Sequence, residues 1–305
     1  MIKARKLTKR FGEVEALVNL NCNIPQGCIY GLVGANGAGK STFLRLCNGI
    51  YQPDEGQVSI NGGEVFDNPA VKAHCVFVPD ELYFLPQSNM LRMAKLYESM
   101  YPQFSNERFT ELTATFKLDP ARPLNTFSKG MRRQAATILA LSAMTDYIFF
   151  DVTFDGLDPV MRNLVKHTLY DDVLDRGCTA VITSHSLREL EDTCDQLALV
   201  YRGCIVFESD VQNLNTSLFK GQVAFSDEYD KSRFEGTEIL SFNKQGSVTN
   251  MIIRGDRAES KERISKLNPL LLEILPLTLE EVFLYEMEAL GYSFEEPGAK
   301  GGERK

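Results

Sequence analysis

Residues 34–41 read Gly34-Ala-Asn-Gly-Ala-Gly39-Lys40-Ser41, the most specific motif in the chain. It fits the pattern G-x-x-x-x-G-K-[ST] in full, between the apolar run Ile29–Val33 and a helical pattern at Lys40–Asn48. Glycines let consecutive backbone N–H groups turn towards phosphate oxygens, and a helix N-terminus favours an anion. The sequence therefore predicts a phosphate-binding loop between a buried strand and a helix.

The side chains of this loop indicate that its ligands are a nucleoside triphosphate and Mg²⁺. Lys40 is expected to neutralise charge on the β- and γ-phosphates, and the Ser41 hydroxyl to ligate Mg²⁺. The other residues expected to contact the nucleotide in this segment are Gly34, Asn36, Gly37, Gly39 and Thr42. The alternative, a glycine-rich turn that arose by chance, does not account for a complete motif in the required context.

Strand and helix patterns alternate on both sides of the loop, which indicates an α/β sheet. Helices are indicated between the strands, for example at Met161–Asp175, and Gln57–Ile60 reads as a hairpin strand. Residues 88–146 are helix-forming and predict an inserted helical subdomain, whereas short strands followed by helices after Leu214 predict a small α+β extension. The apolar runs typical of buried parallel strands are Ile29–Val33, Cys75–Val78, Tyr147–Asp151, Ala180–Thr183 and Leu197–Tyr201.

Asp151 ends the apolar run Tyr147-Ile-Phe-Phe. A carboxylate at the end of such a strand is placed to hold Mg²⁺, which is the Walker B role. Many strands end in Asp, so the signal is weak alone. Beside a complete phosphate loop it becomes strong.

A further segment, Thr126-Phe-Ser128-Lys129-Gly130-Met131-Arg-Arg-Gln134, resembles the signature motif of ABC-transporter ATPases. Ser128 and Gly130 fit the usual Leu-Ser-Gly-Gly-Gln, whereas Lys129 and Met131 replace a Gly and the Gln. The Ser-Lys-Gly-Met form is similar to that of bacterial exporter-type members. The resemblance implies that these four residues contact ATP held by a partner subunit. For the segment taken alone, an ordinary Ser-capped helix is the alternative.

Three more segments resemble family motifs, and the whole resemblance covers residues 1–212. Phe11-Gly12 resembles the A-loop, whose aromatic ring stacks on adenine. Asp155-Gly-Leu-Asp158 resembles the D-loop, which spans the dimer seam. His185 follows a strand and resembles the switch histidine that contacts the γ-phosphate. The resemblance implies that His185 and Asp151 are catalytic residues.

Asp80 is the first of two departures from the family pattern. The family usually has Gln after the strand that here ends at Val78, in the Q-loop. A carboxylate can ligate Mg²⁺ or hold water, but it cannot donate as an amide does. Acidic versions resemble those of exporter-type members. Asp80 is therefore expected to contact the nucleotide and, with Ser41 and Asp151, the metal.

Val152 is the second departure, because the family has a Glu there that polarises the attacking water. Valine has no proton acceptor, and a positioned general base typically contributes about 10²–10⁴-fold to a rate. Hydrolysis at this site is therefore expected to be slow or absent, while ATP binding survives. Asp155 and Asp80 are alternative bases, although neither occupies the family's base position. A sequence error or an engineered trap is a further alternative.

Charge and cysteine content limit the classes of function. The 33 Lys and Arg residues against 41 Asp and Glu residues give a net charge of −8, which disfavours nucleic-acid binding. No apolar stretch approaches the ~20 residues of a membrane helix, and no signal peptide is visible. The seven cysteines form no Cys-x-x-Cys pair, which indicates reduced thiols in a cytosol.

These patterns predict a P-loop NTPase of the ABC type, an α/β fold with an inserted helical subdomain and a C-terminal α+β extension. The predicted parts are an ATPase core at 1–87 and 147–212, a helical signature subdomain at 88–146, an accessory domain at 213–290 and a disordered tail at 291–305. The resemblance implies an ATP-binding transporter subunit, peripheral on the cytoplasmic face of the membrane.

The implied partners are a separate membrane-spanning permease and a second ATPase subunit. A heterodimer is favoured, because a homodimer would lack the base in both sites. A catalytically degenerate regulatory subunit is the alternative function. Soluble ABC ATPases that act on ribosomes or in DNA repair are disfavoured, since neither a second cassette nor a long coiled-coil insertion is visible.

Overall fold

The computed structural model describes residues 1–152, 154–211 and 218–289. The chain divides into two compact units, Met1–Glu208 and Ser209–Lys305, and each is considered by itself. The tail predicted at 291–305 lies outside the described residues. No described helix combines the length and the apolar character needed to cross a bilayer.

Strands and short helices alternate along the first unit. Its strands are β1 (Ile2–Phe11), β2 (Val14–Ile24), β3 (Ile29–Val33), β4 (Glu55–Ile60), β5 (Gly63–Glu64), β6 (Cys75–Val78), β7 (Tyr147–Phe150), β8 (Thr179–Ser184), β9 (Gln196–Tyr201) and β10 (Cys204–Asp210). Its helices are α1 (Lys40–Cys47), α2 (Pro69–Lys72), α3 (Met90–Met100), α4 (Asn106–Thr115), α5 (Lys129–Ser142), α6 (Pro159–Arg176) and α7 (Leu187–Glu191).

A six-stranded sheet in the order β10-β9-β3-β8-β7-β6 forms the centre of this unit. β3 pairs in parallel with β8 and β9, and β7 pairs in parallel with β6 and β8. Every residue of β3, β7 and β8 is buried, as expected for strands that are covered on both faces. The predicted α/β arrangement is confirmed.

A second, antiparallel sheet has the order β2-β1-β4-β5, and only β4 of it is indicated by the sequence pattern. The period-two alternation of β1 is interrupted, because Lys6 has a φ of 48° and the pairing register shifts between Ala4 and Leu7. Asn19 has a φ of 46° in β2. Irregularities of this kind let Ala4 and Leu7 both face the core despite their spacing of three.

Between β6 and β7 the chain forms α3, α4 and α5, which agrees with the helical pattern of this stretch. Each helix begins after a residue whose side chain accepts an N–H of the first turn: Asn89, Ser105 and Ser128. From Arg133 to Ser142 every residue of α5 is buried. Ser128 thus lies at the exposed start of a helix whose remainder belongs to the core.

The second unit contains an antiparallel sheet and two α-helices among its described residues. Its strands β11 (Leu218–Ala224), β12 (Glu238–Gln245), β13 (Val248–Arg254) and β14 (Leu271–Pro276) are ordered β12-β13-β11-β14. The helices are α8 (Arg257–Ser265) and α9 (Leu279–Ala289). Thr278 and Glu281 form a capping box, because each accepts the other's backbone N–H.

Candidate functional site

Four segments predicted separately meet at one edge of the parallel sheet. The loop 34–39 joins β3 to α1, Asp80 follows β6, Asp151 follows β7, and His185 follows β8. Parallel strands point the same way, so these segments all lie at carboxyl ends. Ligands of open α/β sheets bind at this edge.

Backbone packing leaves no room for side chains at two glycines of the loop. A Cβ at Gly34 would lie 2.3 Å from the carbonyl oxygen of Val200, and one at Gly39 would lie 2.6 Å from that of Ala16. Gly39 has a φ of 109°, and α1 begins without a side-chain cap. Residues 35–37 are exposed. The loop is therefore held against the sheet while its outer side and the first turn of α1 face an external anion.

Lys40 folds back over the loop that precedes it. Its Nζ donates to the carbonyl oxygens of Gly34 at 2.6 Å and Ala35 at 3.0 Å. Only 7% of Lys40 is exposed. Burial lowers the pKa of its ammonium, and the charge of Asp151 partly opposes that shift. The cation is thus poorly solvated, which favours binding of an anionic ligand at the loop.

Ser41 and Thr183 both donate their hydroxyl protons to Oδ1 of Asp151, at 2.9 and 3.0 Å. Asp151 is 1% exposed, and among residues 1–152, 154–211 and 218–289 its Oδ2 has no hydrogen-bond partner. A buried carboxylate oxygen without a donor is costly unless a ligand satisfies it. Hydroxyl and carboxylate oxygens are the ligands that Mg²⁺ prefers. The pair of Ser41 and Asp151 therefore fits a Mg²⁺ ion.

Val152 follows Asp151 in a left-handed backbone conformation, with a φ of 53°. Its N–H donates to Oγ1 of Thr183 at 2.8 Å. A β-branched residue with positive φ is an outlier that costs free energy. The valine side chain offers no proton acceptor in any orientation, so this position cannot supply a general base.

Asp80 contacts Arg133 of α5. Arg133 Nη2 donates to Asp80 Oδ1 at 2.9 Å and to the Asp80 carbonyl oxygen at 3.1 Å. The Asp80 side chain is 48% exposed, whereas the Arg133 side chain is 2% exposed. Asp80 thus neutralises a buried guanidinium, a contact beyond the nucleotide and metal contacts expected of it.

The signature segment packs against the segment that resembles a D-loop. Lys129 Nζ donates to Asp155 Oδ2 at 2.6 Å, and this hydrogen bond is the main cause that holds the pKa of Asp155 below its usual value. A Cβ at Gly130 would lie 2.7 Å from the carbonyl oxygen of Gly156. The Ser128 hydroxyl accepts the N–H of Met131 at 3.2 Å, so the segment begins as the Ser-capped helix considered above.

The remaining predicted residues have varied surroundings. His185 is exposed at the end of β8. The Phe11 ring is 44% exposed and meets the Tyr51 ring edge-on, with centroids 5.3 Å apart. Asp158 caps α6, because its Oδ1 accepts the N–H of Val160 at 2.9 Å. Its carboxylate therefore has a structural role already.

Thr183, Arg133 and Tyr51 belong to the site and are not singled out from the sequence. Arg133 lies one turn before Thr137 and two turns before Ala140, on the buried side of α5. Its burial can therefore be predicted from the helical spacing. The hydrogen-bond partners of Arg133 cannot be predicted in this way, because they lie 18 to 54 residues away along the chain. Thr183 carries a weaker signal, namely its place at the end of a strand beside His185.

The ABC transporter family model matches residues 17–154. Among curated proteins, the chain is 28% identical to the ABC transporter ATP-binding protein YtrB of Bacillus subtilis (strain 168), over 93% of this chain and 97% of that protein. It is 29% identical to the daunorubicin/doxorubicin resistance ATP-binding protein DrrA of Streptomyces peucetius, over 79% of this chain and 74% of that protein.

Solved structures give the same fold. One, described as the structure of an ATP binding subunit of an ABC transporter, matches 70% of this chain and 92% of its own with a TM-score of 0.65 at 21% identity. The dimeric structure of MJ0796, a bacterial ABC transporter cassette, matches 69% and 99% with a TM-score of 0.63 at 24% identity. The chain therefore has the P-loop fold of the ABC-type ATPases and is related to ATP-binding proteins of ABC transporters.

Proposed function

We propose that this chain binds Mg²⁺ and ATP as the ATP-binding subunit of an exporter-type ABC transporter. The observation that carries the proposal is the buried Asp151, whose Oδ1 accepts from Ser41 and whose Oδ2 meets no donor in the part of the chain that the structure describes. In the proposed site, Asp151 and Ser41 hold the metal, while Lys40 and the first turn of α1 hold the phosphates. Mg²⁺ supplies positive charge that offsets the phosphate charge.

The remaining predicted residues have the following roles in the proposed site. The exposed ring of Phe11 is the platform for adenine, and His185 contacts the γ-phosphate. Asp80 faces the same edge of the sheet. The nucleotide loop also includes Gly34, Asn36, Gly37, Gly39 and Thr42.

The proposed partners are a membrane-spanning permease and a second ATPase subunit, with this chain on the cytoplasmic face. The names of two relatives support the permease as a partner: YtrB is an ABC transporter ATP-binding protein, and DrrA is a drug-resistance ATP-binding protein. The dimeric structure of MJ0796 supports the second partner. In such a dimer, Ser128, Lys129, Gly130 and Met131 contact the nucleotide held by the partner subunit.

Val152 favours a heterodimer in which only one site hydrolyses ATP. The site built on this chain's own phosphate loop binds ATP without a base. The other site combines the partner's base with this chain's signature residues and hydrolyses ATP. The second candidate function is a regulatory subunit that binds ATP without turnover at either site, which Val152 also favours.

Titration calorimetry of the purified chain with ATP and Mg²⁺ tests the binding step. Wild-type protein is expected to bind ATP, and Lys40→Met to lose most of the affinity; Lys95→Met, an exposed lysine on α3, serves as the control. Absence of binding by folded wild-type protein would contradict the proposal.

Co-purification from membranes of the native host, followed by an ATPase assay, tests the assembly. A second ATPase subunit and a permease are expected in the complex. Turnover by the complex and none by the isolated chain supports the transporter subunit, whereas no turnover in either favours the regulatory subunit. Rapid hydrolysis by the isolated chain would rule out the degenerate site.

A further inference from the structure

Arg133 is a buried cation whose terminal nitrogens all face the ends of two strands. Nη1 donates to the carbonyl oxygen of Pro79 at 3.0 Å and lies 3.5 Å from that of Asp151. Nη2 donates to the carbonyl oxygen and to Oδ1 of Asp80. One side chain of α5 thus joins the residues that follow β6 and β7.

The charge balance makes this contact hard to replace. A guanidinium that is almost completely buried must be paired, because an isolated buried charge is strongly disfavoured. Its ion-pair partner is Asp80, which stands where the resembled family has a neutral glutamine. Arg133 also presents its donors in a fixed planar fork, so one orientation satisfies Pro79, Asp80 and the end of β7 together.

The same contact reaches the backbone of the proposed metal ligand. Asp151 is held from three directions: its N–H donates to the carbonyl oxygen of Val78, its Oδ1 accepts from Ser41 and Thr183, and its carbonyl oxygen lies beside Arg133. Residues that hold a metal ligand in place typically change metal affinity 10–100-fold when they are replaced.

We propose that Arg133 is a positioning residue that fixes Asp80 and the end of β7, and so sets how strongly Mg²⁺ raises the affinity for ATP. The inference rests on the proposed function, because it assumes that Asp151 holds Mg²⁺ beside the nucleotide. Arg133 itself contacts neither ligand. Since it lies five residues after Ser128 on α5, it also ties the start of the signature helix to this edge of the sheet.

Calorimetric titration with ATP, once in excess Mg²⁺ and once in EDTA, separates positioning from simple stabilisation. Arg133→Gln is expected to lose about 10–100-fold of affinity in Mg²⁺ and to keep the wild-type affinity in EDTA, whereas Asp80→Asn, which also removes a predicted metal contact, should lose at least as much in Mg²⁺. Arg132→Gln, the neighbouring arginine whose guanidinium lies over the Phe84 ring, is the matched control and should bind as wild type in both.

The double variant Arg133→Gln/Asp80→Asn tests whether the pair acts as a unit. Its loss in Mg²⁺ should equal that of the worse single variant, because residues in one network do not contribute independently. Equal losses in Mg²⁺ and EDTA, or unchanged affinity in both, would overturn the inference. If Arg133→Gln does not fold, Arg133→Lys carries the test, because lysine keeps the buried positive charge beside Asp80 and lacks the planar fork of donors. Wild-type protein that bound no ATP would instead contradict the proposed function.

Discussion

The Thr183 hydroxyl donates its proton to Asp151 Oδ1 at 3.0 Å, and its oxygen, Oγ1, accepts the N–H of Val152 at 2.8 Å. One hydroxyl on β8 therefore holds both residues at the end of β7. This link fixes the side chain of the proposed metal ligand and the unusual backbone of the residue after it.

Replacing Thr183 with valine should destabilise the protein by about 1–3 kcal/mol, because the partly buried N–H of Val152 loses its acceptor and the buried Oδ1 of Asp151 loses a donor. Valine has nearly the same shape as threonine, so the loss of stability measures the contribution of the hydroxyl and not the effect of a cavity. Thermal or urea unfolding measures the change. Thr183→Ser keeps the hydroxyl and is the control; if it lost as much as Thr183→Val, the hydrogen bonds would not be the cause.

Val152→Asn should stabilise the protein, since asparagine tolerates positive φ better than a β-branched residue. Backbone strain of this kind costs on the order of 1–3 kcal/mol, and recovering about 1 kcal/mol raises Tm by roughly 2–4 °C in a unit of this size. Calorimetric melting without nucleotide measures it. Val152→Thr is equally β-branched and should show no gain; an equal rise in both variants would argue against strain.

Val152→Glu should raise the ATPase rate of the isolated chain by about 10²–10⁴-fold, the usual contribution of a positioned general base. Steady-state phosphate release at saturating ATP and Mg²⁺ gives the rate. Val152→Gln has the same length without a base and is the control. Rates that do not differ between the Glu and Gln variants would show that the missing carboxylate is not what limits hydrolysis.

Asp155 should titrate below its ordinary value of 3.8, because the hydrogen bond from Lys129 favours its carboxylate. The stabilisation is therefore complete above that ordinary value and is lost only as the pH falls through the lower, folded-state pKa, so it does not vary near neutral pH. Carboxyl NMR titration should show the pKa of Asp155 rising in Lys129→Met. Lys95→Met should leave it unchanged, and no rise in Lys129→Met would contradict the assigned cause.

The part of the site that the sequence predicts is the part encoded within a few residues. The loop at 34–41 carries its own glycines, lysine and hydroxyl, and the apolar run before it specifies the strand. Asp151 is predictable for the same reason, because a single buried run ends at it. The α/β arrangement follows from repeated patterns of this kind.

The parts that are not predicted depend on contacts between distant segments. Arg133 contacts Asp80, which lies 53 positions away in the sequence, and Thr183 contacts Asp151, which lies 32 positions away. No local period marks such pairs. The β1–β2 hairpin is missed for a local reason instead, since the positive φ of Lys6 and Asn19 breaks the alternation that identifies a strand.

Phe11 packs edge-on with Tyr51, and the Lys9 ammonium lies 5.5 Å from the centroid of its ring, while 44% of the residue stays exposed as the proposed platform for the nucleobase. Every base has a π-face, and a ring face offers no group that distinguishes the hydrogen-bonding edge of one base from that of another. Discrimination between ATP and GTP at such a platform would be slight. Which of the two nucleotides occupies this site would then be decided by their relative abundance in the cell.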